Sequence, residues 1–198
     1  MKKNLNNLTK KKLFQLNNYN NNSKKIEFNN INIQEFNNGC RKIIINRDEN
    51  SNSINSEIST NFLLNKLNEY KEDKESKFII LCGDNNLPNS NSLLNQNSNK
   101  PIISFVNEIT MGLTLHCSHR IVGDNAIWSI PKTNELFFSD LGTSHFLSRL
   151  GSVGLYLGIV RKNIRTTDLI KTNIANNYIP NELFDKAMCE LCFSPMNK

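Results

Sequence analysis

Two unbroken apolar runs, Ile43-Ile44-Ile45 and Phe78-Ile79-Ile80-Leu81-Cys82, constrain this chain more than any other feature. A strand with one face in water alternates apolar and polar residues, whereas a strand covered on both faces reads as a continuous apolar run. Between the runs, Ile58, Phe62, Leu63, Leu67 and Tyr70 recur at helical spacing, with Asn55 or Ser56 placed to cap the helix start. The stretch 47–55 is polar and turn-like, and 69–77 is a charged exit. Two covered strands joined by a helix form a right-handed βαβ crossover, and hence a parallel sheet.

The theme recurs downstream. Residues 101–106 read as a third strand, 113–119 as a short helix, and 120–122 and 126–130 as strands, with Pro131 ending the last. Two apolar helices, 144–150 and 153–160, meet at Gly151, and Thr167-Asp168 opens a short helix. Residues 181–191 form an amphipathic helix with Leu183, Phe184, Ala187, Met188 and Leu191 on its apolar side. The fold class is α/β.

Charge is distributed unevenly. The net charge is +6, yet seven lysines (Lys2, Lys3, Lys10, Lys11, Lys12, Lys24 and Lys25) precede the first acid, Glu27. That leaves 17 basic residues against 18 acidic ones, so the remainder is near neutral. A nucleic-acid-binding core is therefore not expected, although a basic tail can touch RNA weakly in a salt-dependent way. Residues 1–26 read as a disordered Asn/Lys-rich leader, compatible with a mitochondrial transit peptide despite lacking Arg. A cytoplasmic location is the alternative. Residues 27–198 read as one domain with a low-complexity loop at 84–99, where Asn and Ser crowd around Pro88. No apolar run approaches the ~20 residues of a membrane-spanning helix.

Five cysteines, Cys40, Cys82, Cys117, Cys189 and Cys192, are too few and too scattered for a disulfide scaffold. Cys189-Glu-Leu-Cys192 is a lone C-x-x-C without the second pair that zinc needs, and His116-Cys117-Ser118-His119 lacks a third ligand. Reduced structural thiols and no metal are expected.

Several segments resemble a known family in order along the chain. They are Ile109-Thr110-Met111-Gly112 after the strand at 101–106, Ile130-Pro131, and Phe137-Phe138-Ser139-Asp140-Leu141-Gly142. Phe146-Leu147-Ser148-Arg149-Leu150-Gly151 and Arg165-Thr166-Thr167-Asp168 follow. Together they resemble the enoyl-CoA hydratase/isomerase (crotonase) superfamily, and within it the 3-hydroxyisobutyryl-CoA hydrolases of valine breakdown. The resemblance covers roughly residues 30–83 and 100–180. It implies a crotonase-like stacked ββα/βαβ spiral, here incomplete, whose C-terminal half has no counterpart in this chain. It also implies hydrolysis of an acyl-CoA thioester, with CoA as part of the substrate and no cofactor. The oligomeric state is left open, since relatives of this kind vary.

The family's site chemistry tells where to look. Thioester attack puts negative charge on the carbonyl oxygen, and crotonase-like sites meet it with backbone N–H donors from two Gly-rich turns. The first turn maps to Gly83-Asp84, and the second is cut to Gly112 alone. Of the paired carboxylates, the Glu position holds Lys132, and the Asp position survives as Asp140. The resemblance thus implies Asp140 as the catalytic carboxylate and Gly83 and Gly112 as substrate-binding positions, forming a partial oxyanion hole. Lys132 beside Asp140 would favour its ionised form, and Glu135 would take the acid role if its loop shifted. Plainer accounts stand beside these. Lys132 and Glu135 suit a loop surface, Asp140 a helix N-cap, Trp128 and Phe137 the core, and Arg149 a helix-surface ion pair. The alternative to a weakened hydrolase is an inactive crotonase-fold relative that binds a CoA ligand or serves in assembly.

Overall fold

The structure is a computed structural model. It describes residues 23–29, 31–46, 57–84, 100–106, 109–110, 112–128 and 143–194, and for 57–60, 84, 109–110 and 112–113 the backbone element alone. A seven-stranded sheet has the order β1-β2-β3-β4-β5-β7-β10. Its strands are β1 (Ser23–Phe28), β2 (Ile31–Phe36), β3 (Cys40–Asn46), β4 (Phe78–Asp84), β5 (Ile102–Val106), β7 (His119–Val122) and β10 (Asn177–Tyr178). The first three are antiparallel neighbours. From β3 onward every pairing is parallel, as the unbroken apolar runs require. Helix α1 (Glu57–Glu72) is the crossover between β3 and β4.

Alternation along each strand assigns its side chains to two layers. Ile79 and Leu81 face α1, where they pack with Ile31, Ile33, Ile43, Ile45, Leu63, Leu67 and Tyr70. Phe78, Ile80 and Cys82 face the opposite side, with Phe36, Cys40, Phe105, Ile121, Phe184 and Cys192. Phe184 and Cys192 belong to helix α5 (Asn181–Phe193), which covers that second face. Asn38 anchors its end, donating through Nδ2 to the carbonyls of Leu191 at 3.0 Å and Ser194 at 3.1 Å. The turn into β3 needs Gly39. Its φ is +90°, and a Cβ there would lie 2.7 Å from both the Glu75 carbonyl oxygen and Lys77 Cγ.

A third core lies past the C-terminal ends of β5 and β7. A small sheet, β6 (Ile109–Thr110), β8 (Ile127–Trp128) and β9 (Ile164–Arg165), runs in the order β6-β8-β9. Around it lie α2 (Thr143–Ser148), α3 (Gly151–Val160) and α4 (Thr166–Lys171). Val106, Leu115, Val122, Trp128, Leu147, Leu157 and Ile164 are buried together there.

Several expectations shift. Residues 23–26, assigned to a disordered leader, are the first four residues of β1, and Ile26 pairs with Ile33. The run Lys-Lys-Ile-Glu-Phe alternates charge with apolar residues, which is the signature of an edge strand. The hairpin β1–β2 had not been expected. The helix at 113–119 is a 3-10 helix, Gly112–His116, that gives way to β7. Leu183 is not on the apolar side of α5, since it is 48% exposed. The buried stripe is Phe184, Ala187, Met188, Leu191 and Cys192, and Leu183 sits about 100° away from it. The candidate caps Asn55 and Ser56 and the loop at 85–99 lie outside the described residues.

Candidate functional site

Parallel strands present their carboxyl ends at one edge, and open α/β sheets place ligands there. Both candidate glycines sit beyond or near that edge. Gly83 is the penultimate residue of β4, paired with Ile45, and the strand runs on to Asp84 opposite Asn46. It is therefore part of the ladder with β3, not the start of a turn. Gly112 opens the 3-10 helix six residues after β5 ends. The first amides of such a helix have no acceptor within it. Thr114 and Leu115 are buried and fix the helix against the third core.

Asp140, Lys132, Glu135 and Phe137 lie outside the described residues. Gly83 thus lies within β4 and Gly112 at the start of the 3-10 helix that follows β6, while Asp140 lies outside the described residues. Trp128 is buried in the third core, and its Nε1 has no acceptor among the described residues. Arg149 bonds His145 Nε2 at 2.9 Å across one helical turn, so its expected surface partner is an imidazole and not an acid.

Another carboxylate at this edge went unnoticed in the sequence. Asp124 follows the end of β7. It accepts from the Asn181 backbone N–H at 2.8 Å and from the Tyr178 hydroxyl, while its own N–H donates to Asn181 Oδ1 at 2.9 Å. The Asn181 N–H, then the Tyr178 hydroxyl, hold the carboxyl below the usual carboxylate range. A carboxylate so engaged is a poor base. Its geometry ties the start of α5 to the β7 turn. Asp-Asn and Asp-Tyr pairs 57 and 54 residues apart leave no local spacing to read.

Arg120 in β7 is equally structural. Its guanidinium donates to the carbonyls of Ile174 at 2.7 Å, Cys117 at 2.7 Å and Asn173 at 3.2 Å. It also lies 5.5 Å over the Phe146 ring. Burial lowers its pKa from the ordinary arginine value. Cys117 beside it is fully buried, which pushes its thiol up to about 12, so it is protonated at neutral pH. Among the described residues no group of three His, Cys, Asp or Glu side chains could hold a metal ion.

A sheet that runs parallel from β3 onward, flanked by α1 and α5, with a second small sheet set beyond its carboxyl edge, is the crotonase fold. The solved structure of an enoyl-CoA hydratase from Rhodobacter sphaeroides superposes on 86% of this chain with a TM-score of 0.73, at 18% identity, using 60% of that chain. The family model for enoyl-CoA hydratase/isomerase matches residues 90–196, just over half of the sequence. The chain belongs to that family. Two curated relatives lie within reach of the sequence itself. The small ribosomal subunit protein mS47 of Schizosaccharomyces pombe is 28% identical over 84% of this chain and 47% of its own length. The mitochondrial 3-hydroxyisobutyryl-CoA hydrolase of Xenopus tropicalis is 33% identical over 42% of this chain and 23% of its own. The chain therefore spans less than half the length of either relative. No helix among the described residues is long and apolar enough to cross a membrane.

Proposed function

We propose that this chain is a crotonase-fold assembly component of the small ribosomal subunit in the mitochondrion, not a working thioesterase. The extent of the likeness carries this reading. The ribosomal relative aligns along 84% of the chain, the hydrolase along 42%. Chemistry supports it. None of the eight glycines adjoins another, so neither oxyanion turn has the Gly-Gly pair expected from the family pattern. Gly83 is held in a strand ladder, and the position of the second carboxylate holds Lys132. The loss of a single oxyanion donor typically costs about 10²–10³ in rate. The test is sedimentation of mitochondrial lysate at high and low magnesium, with this chain tagged. Co-migration with the small subunit in both conditions is expected. A tag that stays at the top of every gradient sinks the reading.

A second reading is favoured by the 33% identity over 88 residues to the Xenopus hydrolase. Here the chain hydrolyses an acyl-CoA thioester such as 3-hydroxyisobutyryl-CoA. Asp140 handles the acyl intermediate or its water, and N–H groups near Gly83 and Gly112 bind the developing oxyanion. The purified chain is incubated with that thioester and free thiol is followed with a thiol reagent. Release above an Asp140→Ala control establishes this reading, and its absence removes it.

A further inference from the structure

Cys40 begins β3 and Cys192 lies in the last turn of α5, 152 residues later, yet their Sγ atoms are 3.9 Å apart. Both are buried, whereas Cys189, one turn earlier on the same helix, is half-exposed. The backbone around the pair is already fixed. Asn38 binds the Leu191 and Ser194 carbonyls on either side of Cys192, and Phe36 meets Phe193 edge-on at 5.4 Å. The Asn38 Oδ1 also accepts from the Cys40 N–H at 3.0 Å. A disulfide needs sulfurs about 2.05 Å apart, and the two sulfurs already stand in contact at 3.9 Å.

We propose that Cys40 and Cys192 form a reversible disulfide that fastens α5 to the sheet, making the pair a redox modification site. The oxidant is a low-molecular-weight disulfide. The Cys192 thiolate, reached when the terminal turn of α5 opens, attacks one sulfur of that disulfide and releases the other as a thiolate. Cys40 then attacks the Cys192 sulfur of the mixed disulfide, forming the Sγ–Sγ bond and releasing the second small thiolate. The two protein thiol protons pass to the two leaving thiolates, so one disulfide is reduced for each formed. Both sulfurs are buried, so the reduced pair resists the first step in the closed state. The Cys192 contact, with burial, also raises the thiol of Cys40, the second nucleophile, well above its usual range. Oxidation is therefore tied to opening of the α5 terminus and is slow in the closed protein.

The test uses the full chain incubated with glutathione disulfide, followed by alkylation of remaining thiols and tryptic mapping without reductant. Cys189 and Cys192 share one tryptic peptide, because the nearest cleavage before them follows Lys186. The Cys189→Ser variant removes that ambiguity at a half-exposed position. The expected result is a linked peptide pair holding Cys40 and Cys192 in both proteins, with unchanged far-ultraviolet circular dichroism. The thermal midpoint rises on oxidation and returns with dithiothreitol. A Cys189–Cys192 link in the wild type, a persistent glutathione adduct, a link from Cys40 to Cys82 or Cys117, or five alkylated thiols overturns the proposal. It stands or falls independently of the ribosomal and thioesterase readings.

Discussion

Two arginines carry charge into this sheet, and each is held by different partners. Arg41 is buried in β3 and donates to the carbonyls of Phe36 and Cys40 and, at 3.0 Å, to Asp73 Oδ2. The N–H of Glu75, then the Arg41 guanidinium, hold the Asp73 carboxyl below the usual carboxylate range. Because the folded value is depressed, this stabilisation is complete above about pH 3.9, the unfolded carboxylate value, and is lost as pH falls through the folded one. Asp73→Asn should therefore lower stability by about 1–2 kcal/mol at pH 7, the low end because a third of the Asp73 side chain is exposed. Melts of the two proteins should converge near pH 2, and a gap that persists there would falsify the charge assignment. Arg120 has three backbone carbonyls as partners, spread across two segments. A single ammonium cannot reproduce that fork. Arg120→Lys keeps the charge and should still cost about 1–3 kcal/mol in urea denaturation. An unaltered midpoint means the carbonyl clamp contributes nothing. Neither arginine announced its role in the sequence. Their acceptors are backbone atoms, which carry no residue signature.

Elements were legible where one face is apolar and the chain is long enough to show a period. α1 was readable because Phe62, Leu63, Leu67 and Tyr70 lie on one side, and β4 because both its faces are covered. The β1–β2 hairpin was not, since half of β1 is exposed and Asn dilutes its surroundings. α3 illustrates a different limit. Its sequence, Gly-Ser-Val-Gly-Leu-Tyr-Leu-Gly-Ile-Val, is apolar all round and has no preferred face to read. The glycines decide how it packs. At Gly154 a Cβ would stand 1.8 Å from the Leu147 carbonyl oxygen of α2, a contact that only backbone displacement relieves. At Gly158 the nearest neighbour would be Leu147 Cδ1, at an ordinary 3.6 Å. Two alanine substitutions on one helix should then act with opposite signs. Gly154→Ala should cost about 1–3 kcal/mol by forcing α2 and α3 apart. Gly158→Ala should gain up to about 1 kcal/mol from helix propensity. Thermal melts of the two variants check this, and equal effects would mean that the α2–α3 contact is not as close as 1.8 Å implies.

At the scale of the whole molecule, most of the net positive charge precedes the described residues. Five lysines precede the start of β1 at Ser23, and the rest of the chain carries the remaining net charge of about +1. The two candidate glycines could be picked out in the sequence, but only coordinates reveal that Gly83 is locked in a ladder with Ile45. Composition alone cannot distinguish a strand glycine from a turn glycine. Under the ribosomal reading the lysines before Ser23 meet RNA, whose phosphates attract lysines whatever its sequence. If all five contact phosphate, log affinity against log salt should fall with a slope of about −3.5 to −4.5, from about −0.7 to −0.9 per contact. Removing residues 1–22 should bring that slope close to zero while leaving β1 and the circular dichroism spectrum unchanged. Removing residues 1–26 instead takes Ser23 to Ile26 out of the sheet, stripping cover from the Ile33 side of the core, and should also lower the thermal midpoint. Filter binding of ribosomal RNA at 50–200 mM salt separates the two effects. A slope that survives the shorter deletion would place the RNA contact on the folded body, against its near-neutral charge, and would require a basic surface assembled from residues such as Arg149, Arg161 and Arg165 around α3.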